Sequence, residues 1–165
     1  MVIRDQLSAI LLILLVALLF LSAIAHALTY FGYDPRQMCV TLWYALQLSS
    51  ALAFIPAFIV IYFRRKNTGS AQLSAADKIV GVFFVVFLLY GLFNYFFTSI
   101  VLNQDAAPEI VNGQYALVRH GAVLKALTKE QFIKHQVYEA RMGSGHWMAF
   151  YLFAISALRW NKNRR

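Results

Sequence analysis

Leu7 to Leu28 reads LSAILLILLVALLFLSAIAHAL, an apolar run without one acidic, lysine or arginine side chain. A helix crossing a bilayer must satisfy every backbone N–H and C=O within itself, which takes about 20 apolar residues in a row. This stretch meets that requirement and sets the class of the chain as all-α integral membrane. Composition agrees, since 61% of the 165 residues are hydrophobic and only 13% charged. The apolar residues also come in blocks too long for a soluble core of this size.

Upstream of the run stands Arg4, and near its end Ala25-His26-Ala27 resembles a small-residue cleavage site. Cleavage of residues 1–27 as a secretory signal is therefore an alternative. The apolar run exceeds the ~7–15 residues of a signal core, and Thr29-Tyr30-Phe31 continues it with interfacial aromatics, so a retained span over 7–28 is expected. Gly32, Asp34 and Pro35 break that helix, with Arg36 marking water.

A second span is expected over 40–63, with Trp43 and Tyr44 at one end and Tyr62 at the other. Pro56 should kink it, and Gln47, Ser49 and Ser50 should face a neighbouring helix. Arg64-Arg65-Lys66 closes the span, and Asn67 to Asp77 reads as a Ser/Gly/Ala-rich loop. The third span covers 79–102, with Gly91 and Asn94 as its interior irregularities. A fourth, shorter one covers 145–160, ahead of Asn161-Lys162-Asn163-Arg164-Arg165. The chain thus reads as one membrane domain, a four-transmembrane-helix bundle.

The basic residues orient it. Arg4, Arg64, Arg65, Lys66, Lys78, Arg159, Lys162, Arg164 and Arg165 lie on one side, in short segments. Arg36, Arg119, Lys125, Lys129, Lys134 and Arg141 lie on the other, in longer ones. The positive-inside rule places both termini in the cytoplasm of a bacterial inner membrane and residues 103–144 outside. The net charge of +8 is then a topological signal with affinity for anionic lipid, and nucleic-acid binding is not expected.

The outer segment holds the recognisable turn chemistry. Asn112-Gly113 and His120-Gly121 flank Gln114 to Val118, which predicts a β-hairpin or three-strand meander. Thr128-Lys129-Glu130-Gln131 matches a capping box, predicting a helix from Lys129 to about Met142. Glu130 and Lys134 are spaced to pair along it. Phe132, Ile133, Val137 and Ala140 give it one apolar side, directed at the membrane surface or the hairpin. Gly143-Ser144-Gly145 is expected to break this cap helix before the fourth span.

Candidate chemistry is sparse. His135 and Glu139 are four apart on the predicted helix, and with His120 and His146 could hold a divalent metal; the plainer reading of His135 and Glu139 is a solvated pair. His26 and His146 should lie at similar depth on different helices and could ligate haem b from both faces; the plainer reading is interfacial histidines satisfied by water or backbone. Cys39 is the only cysteine, which removes an internal disulfide and dithiol exchange. Gly143-Ser144-Gly145-His146 lacks the strand-turn-helix setting of a serine nucleophile, and no nucleotide-binding fingerprint occurs. No span carries an acidic residue, which disfavours an ion-coupled transporter; a small-molecule or lipid transporter would need Gln47 and Asn94 to line a cavity.

The pattern Asn112-Gly113-x-Tyr115, His120-Gly121, Leu127-Thr128-x-x-Gln131, Tyr138-Glu139-x-Arg141 and Ser144-Gly145-His146-Trp147-Met148-x-Phe150-Tyr151 resembles a group of small, functionally uncharacterised bacterial membrane proteins. About a quarter of the chain carries the resemblance, which implies the architecture and no activity. The four-span layout is also similar to that of immunity proteins against pore-forming bacteriocins. The leading expectation is a non-enzymatic accessory subunit without cofactor. Its outer segment, through Tyr115, Arg119, His120, Tyr138 and Arg141, would meet a protein partner or a second copy of the chain.

Overall fold

The computed structural model describes residues 2–67 and 75–162. It has five helices in order: α1 (Val2–Tyr30), α2 (Pro35–Met38), α3 (Val40–Asn67), α4 (Ala75–Phe96) and α5 (Lys129–Lys162). A π-helical turn, Phe97–Leu102, extends α4. Between it and α5 lie three strands, β1 (Ala107–Val111), β2 (Gln114–Arg119) and β3 (Ala122–Ala126), forming an antiparallel sheet in that order. The expected loop at 67–77 is narrowed from both sides by α3 and α4, and its centre, with the basic tail 163–165, lies outside the described residues.

Three helical stretches are long and apolar enough to cross a membrane: Gln6–Tyr30, Val40–Ile59 and Lys78–Leu102. These are the first three expected spans, and their outer faces, carrying Leu7, Ile13, Leu48, Ile55, Val82 and Phe93 among others, are exposed. The expected fourth span is not a separate element. It is the C-terminal half of α5, which is 34 residues long, or about 51 Å at helical rise.

The break expected at Gly143-Ser144-Gly145 does not occur, because the helix is held there by packing. A Cβ on Gly145 would collide with the Asn94 amide, whereas one on Gly143 would make only an ordinary contact with Trp43 Cζ2 at 3.5 Å. Gly91 on α4 likewise approaches the His146 backbone, where a Cβ would lie 3.3 Å from Cα. Small residues here bring helix backbones close, as small residues also do between membrane helices. A helix held on several sides tolerates two glycines whose intrinsic cost is about 1 kcal/mol each.

α5 is the hub of the bundle. α1, α3 and α4 each pack principally on it, while α1 and α3 scarcely touch each other. Its inner face, with Trp147, Tyr151, Ala154, Ile155 and Ala157, is buried in a core shared with Leu15, Trp43 and Leu46. The Trp43 and Trp147 rings lie 4.4 Å apart. The Tyr151 hydroxyl donates to Leu46 O at 2.8 Å and meets Ser49 Oγ at 2.7 Å, so Ser49 does face a neighbouring helix. Ser50 is buried as well, but Gln47 is exposed. Pro56 lies inside α3 without ending it.

The sheet is the three-strand meander. Asn112 and Gly113 have φ of 51° and 78°, and His120 and Gly121 have 51° and 81°. Two successive positive φ angles are what a two-residue hairpin turn of matching twist requires. The capping box forms as expected: Thr128 N–H donates to Gln131 Oε1 at 3.0 Å and Gln131 N–H to Thr128 Oγ1 at 3.2 Å. Buried Ala116, Leu117 and Val118 give β2 its apolar content, and Tyr115 lies 4.7 Å from the Phe132 ring on α5. Phe132, Val137 and Ala140 are buried as expected of the helix's apolar side, while Ile133 is exposed.

Candidate functional site at the sheet end of the bundle

The polar side chains of the chain converge where α1, α4 and α5 meet below the sheet. On α1, Ser22, Ala25, His26 and Thr29 are buried and share one helical face at i, i+3, i+4 and i+7. That face lies on α5, so His26 meets Ser144 Oγ through Nδ1 at 2.8 Å. Its Nε2 meets the Tyr90 hydroxyl of α4, which in turn bonds the Tyr30 hydroxyl at 2.7 Å. Ser144 Oγ donates to Ala140 O at 2.8 Å, the common back-bond of a helical serine. One assignment then satisfies every group: Tyr30 donates to Tyr90, Tyr90 to His26 Nε2, and His26 Nδ1–H to Ser144.

Above this chain lies Arg141. Its Nη2 donates to Thr29 O at 2.7 Å and its Nε to Thr29 Oγ1 at 3.3 Å. The guanidinium sits 4.1 Å from the Tyr30 ring and 5.5 Å from the Tyr138 ring. Asn94, buried on α4, donates to Arg141 O at 2.9 Å and so ties α4 to α5 where Gly145 leaves room. One turn further on, in the π-helical turn that extends α4, Thr98 Oγ1 is buried; with Ser22 Oγ it lacks a hydrogen-bond partner among the described residues.

On the other side of α5, Arg36 fastens the α1–α3 connection. It bonds Asp34, the N-cap of α2, at 2.8 Å, reaches Glu139 at 3.3 Å, and donates to Gln136 O. Burial pulls the Arg36 pKa down, but Asp34 and then Glu139 more than reverse this and hold it above its ordinary value. Burial raises the Glu139 pKa despite the opposing charge of Arg36. Arg36 is therefore a latch between segments more than a marker of the aqueous face.

The candidate residues read from the sequence are mostly dispersed. His135 and Glu139 point apart, His135 Nδ1 bonding Asn103 Oδ1 at 2.9 Å and Glu139 pairing with Arg36. Burial, then Lys125 and Lys134, lower the His135 pKa. His120 occupies its hairpin turn. Among the described residues no three His, Cys, Asp or Glu side chains gather as a metal site. The His146 ring packs at a steep angle against Phe150, 5.3 Å away, and both nitrogens of His26 already have hydroxyl partners. Iron at His26 would have to displace Tyr90 or Ser144. Neither of two apolar cavities between α1 and α3, of about 290 and 210 Å3, is lined by Gln47 or Asn94.

Of the five side chains expected to meet a partner, Arg119 and His120 are exposed, Tyr115 and Tyr138 are partly buried, and Arg141 belongs to the cluster just described. The sequence reading missed Tyr90, Thr29 and Ser144 as partners of His26 and Arg141. The spacing of Ser22, His26 and Thr29 in an apolar run was the available signal. Comparison with models of protein families, with curated proteins and with solved structures found no match.

Proposed function

We propose that this chain is a four-span bacterial inner-membrane protein whose outer sheet docks a partner chain, without catalysis of its own. The observation that carries the docking reading is β3. All five of its residues are exposed, among the described residues its main packing is on β2, and Val123 and Leu124 are 53% and 41% exposed. An exposed strand edge with apolar side chains is a template for addition of another strand, with backbone bonds supplying affinity and side chains selectivity. Lys125, its fourth residue, discourages indiscriminate pairing.

What supports the fourth span is the company α5 keeps: a helix packed by three apolar helices can carry Ser144, which is buried, and His146 and Ser156, which are partly buried, through a bilayer. The distribution of basic residues supports both ends lying inside. Cys39, exposed between α2 and α3, is a native reporter of this topology. A membrane-impermeant maleimide should label it in intact spheroplasts, and labelling only after permeabilisation would invert the scheme.

Docking is tested with a photo-crosslinking amino acid at Val123 in native membranes. A single adduct of defined mass should form, and Leu124→Glu should abolish it while leaving the melting temperature unchanged. No adduct at 123, or an adduct indifferent to Leu124→Glu, rejects the reading.

A further inference from the structure

The two faces of the outer half of α5 differ in charge. On one, Arg36 makes the ion pairs found between described residues, with Asp34 and Glu139. On the other, Lys134, Tyr138 and Arg141 follow one another at helical spacing, and no carboxylate pairs with either cation among the described residues. Lys134 Nζ lies 5.9 Å and the Arg141 guanidinium 5.5 Å from the same Tyr138 ring. Lys125 adds a third positive charge, close enough to act on His135 together with Lys134.

Arg141 is held firmly but incompletely. Two of its five N–H groups bond Thr29 and the Tyr30 ring covers one face at 4.1 Å, while the other three N–H groups have no partner among the described residues. A part-buried guanidinium fixed by neutral acceptors lacks the counter-charge that such a group requires. Its level is that of Tyr30, Phe31 and Tyr33, exposed aromatics of the kind that sit among lipid headgroups.

We propose that Arg141 and Lys134 bind the phosphate of a phospholipid headgroup, with Arg141 as the fixed fork and Lys134 as the mobile second charge. A guanidinium presents parallel N–H groups that match two phosphate oxygens, whereas an ammonium serves as a point charge. The acyl chains then lie along the exposed apolar flanks of α1 and α4. The site rests on the membrane placement proposed above and is independent of β3.

The test is native mass spectrometry of the full chain in mild detergent, titrated with phosphatidylglycerol, with phosphatidylethanolamine, or with glycerol phosphate. Both lipids should give a one-lipid complex, phosphatidylglycerol the tighter. Arg141→Gln should weaken it about tenfold or more, as loss of a charge-assisted bond implies, and Lys134→Gln about threefold. Arg141→Lys should fall between wild type and Arg141→Gln. Displacement of lipid by millimolar glycerol phosphate would show a soluble-anion site and overturn the lipid assignment. Undiminished binding by a folded Arg141→Gln protein would overturn the site; if that variant fails to fold, undiminished binding by Lys134→Gln, at the cap, does so. Loss of the Val123 adduct with lipid retained would reject strand docking and leave this site standing.

Discussion

Gly145→Ala is the substitution that most directly tests how α5 is built. As a helix break, Gly145 would tolerate alanine or lose a hinge. As the contact point of α5 with α4, it cannot accept a methyl group. The added Cβ would overlap Asn94 Nδ2 and lie 3.2 Å from Asn94 Cγ and 3.4 Å from His26 Cε1. Asn94 must then move off Arg141 O, its 2.9 Å partner. Overpacking costs about 1–3 kcal/mol and the lost hydrogen bond about 0.5–1.5, against roughly 1 kcal/mol gained from helix propensity. The net loss is about 0.5–3.5 kcal/mol, or about 1–14 °C at 2–4 °C per kcal/mol for a chain of this size.

Gly143→Ala is the matched control. Its Cβ would meet Trp43 at 3.5 Å, an ordinary contact, so propensity should leave the protein unchanged or about 1 kcal/mol more stable. Thermal unfolding in mild detergent, followed by tryptophan fluorescence, separates the two. Asn94→Ala combined with Gly145→Ala should cost less than the sum of the single changes, because the collision is gone. Equal melting temperatures for wild type and Gly145→Ala would refute the close-packed α4–α5 contact.

Arg36→Gln strands the buried Asp34 and the half-buried Glu139, and should cost about 1–3 kcal/mol at pH 8, discounted for solvent screening. Without Arg36 the Glu139 pKa rises further; a raised folded pKa favours the native state at low pH, so the deficit should shrink in melts at pH 5. His135 has the opposite sign. Its folded pKa is lowered, so stability present above its ordinary value near 6.5 is lost as pH falls through and below that value, and His135→Gln should flatten the decline measured between pH 7.5 and 5. Tyr90→Phe leaves His26 Nε2 without its hydroxyl and should cost about 1–3 kcal/mol, while Tyr30→Phe, at the exposed end, should cost under about 0.5 by the same melts.

Local chemistry was legible in the sequence wherever it is short-range. The first three apolar stretches, the Asn112-Gly113 and His120-Gly121 turns and the Thr128–Gln131 box depend on neighbours within a few residues, and each forms as its pattern dictates. The continuity of α5 was not legible. Two glycines around a serine resemble a break until the Asn94 amide is seen to occupy the space that Gly145 leaves. The partners of His26 were hidden for the same reason: Ser144 is 118 residues away and Tyr90 is 64, and periodicity tells which side a residue faces without telling what stands opposite. Arg36 looked like a boundary marker because Glu139 and Gln136 come from a segment about 100 residues on.

An unbroken α5 also has a mechanical meaning. The helix that supports the sheet at its first turns is the one that the other long helices enclose further down, and no proline, loop or hinge divides these two duties. A rod of about 51 Å pivoting by about 5° swings its far end by roughly 4 Å. Tension applied at the strands is therefore delivered to the opposite tip as displacement, with no flexible joint in between to absorb it.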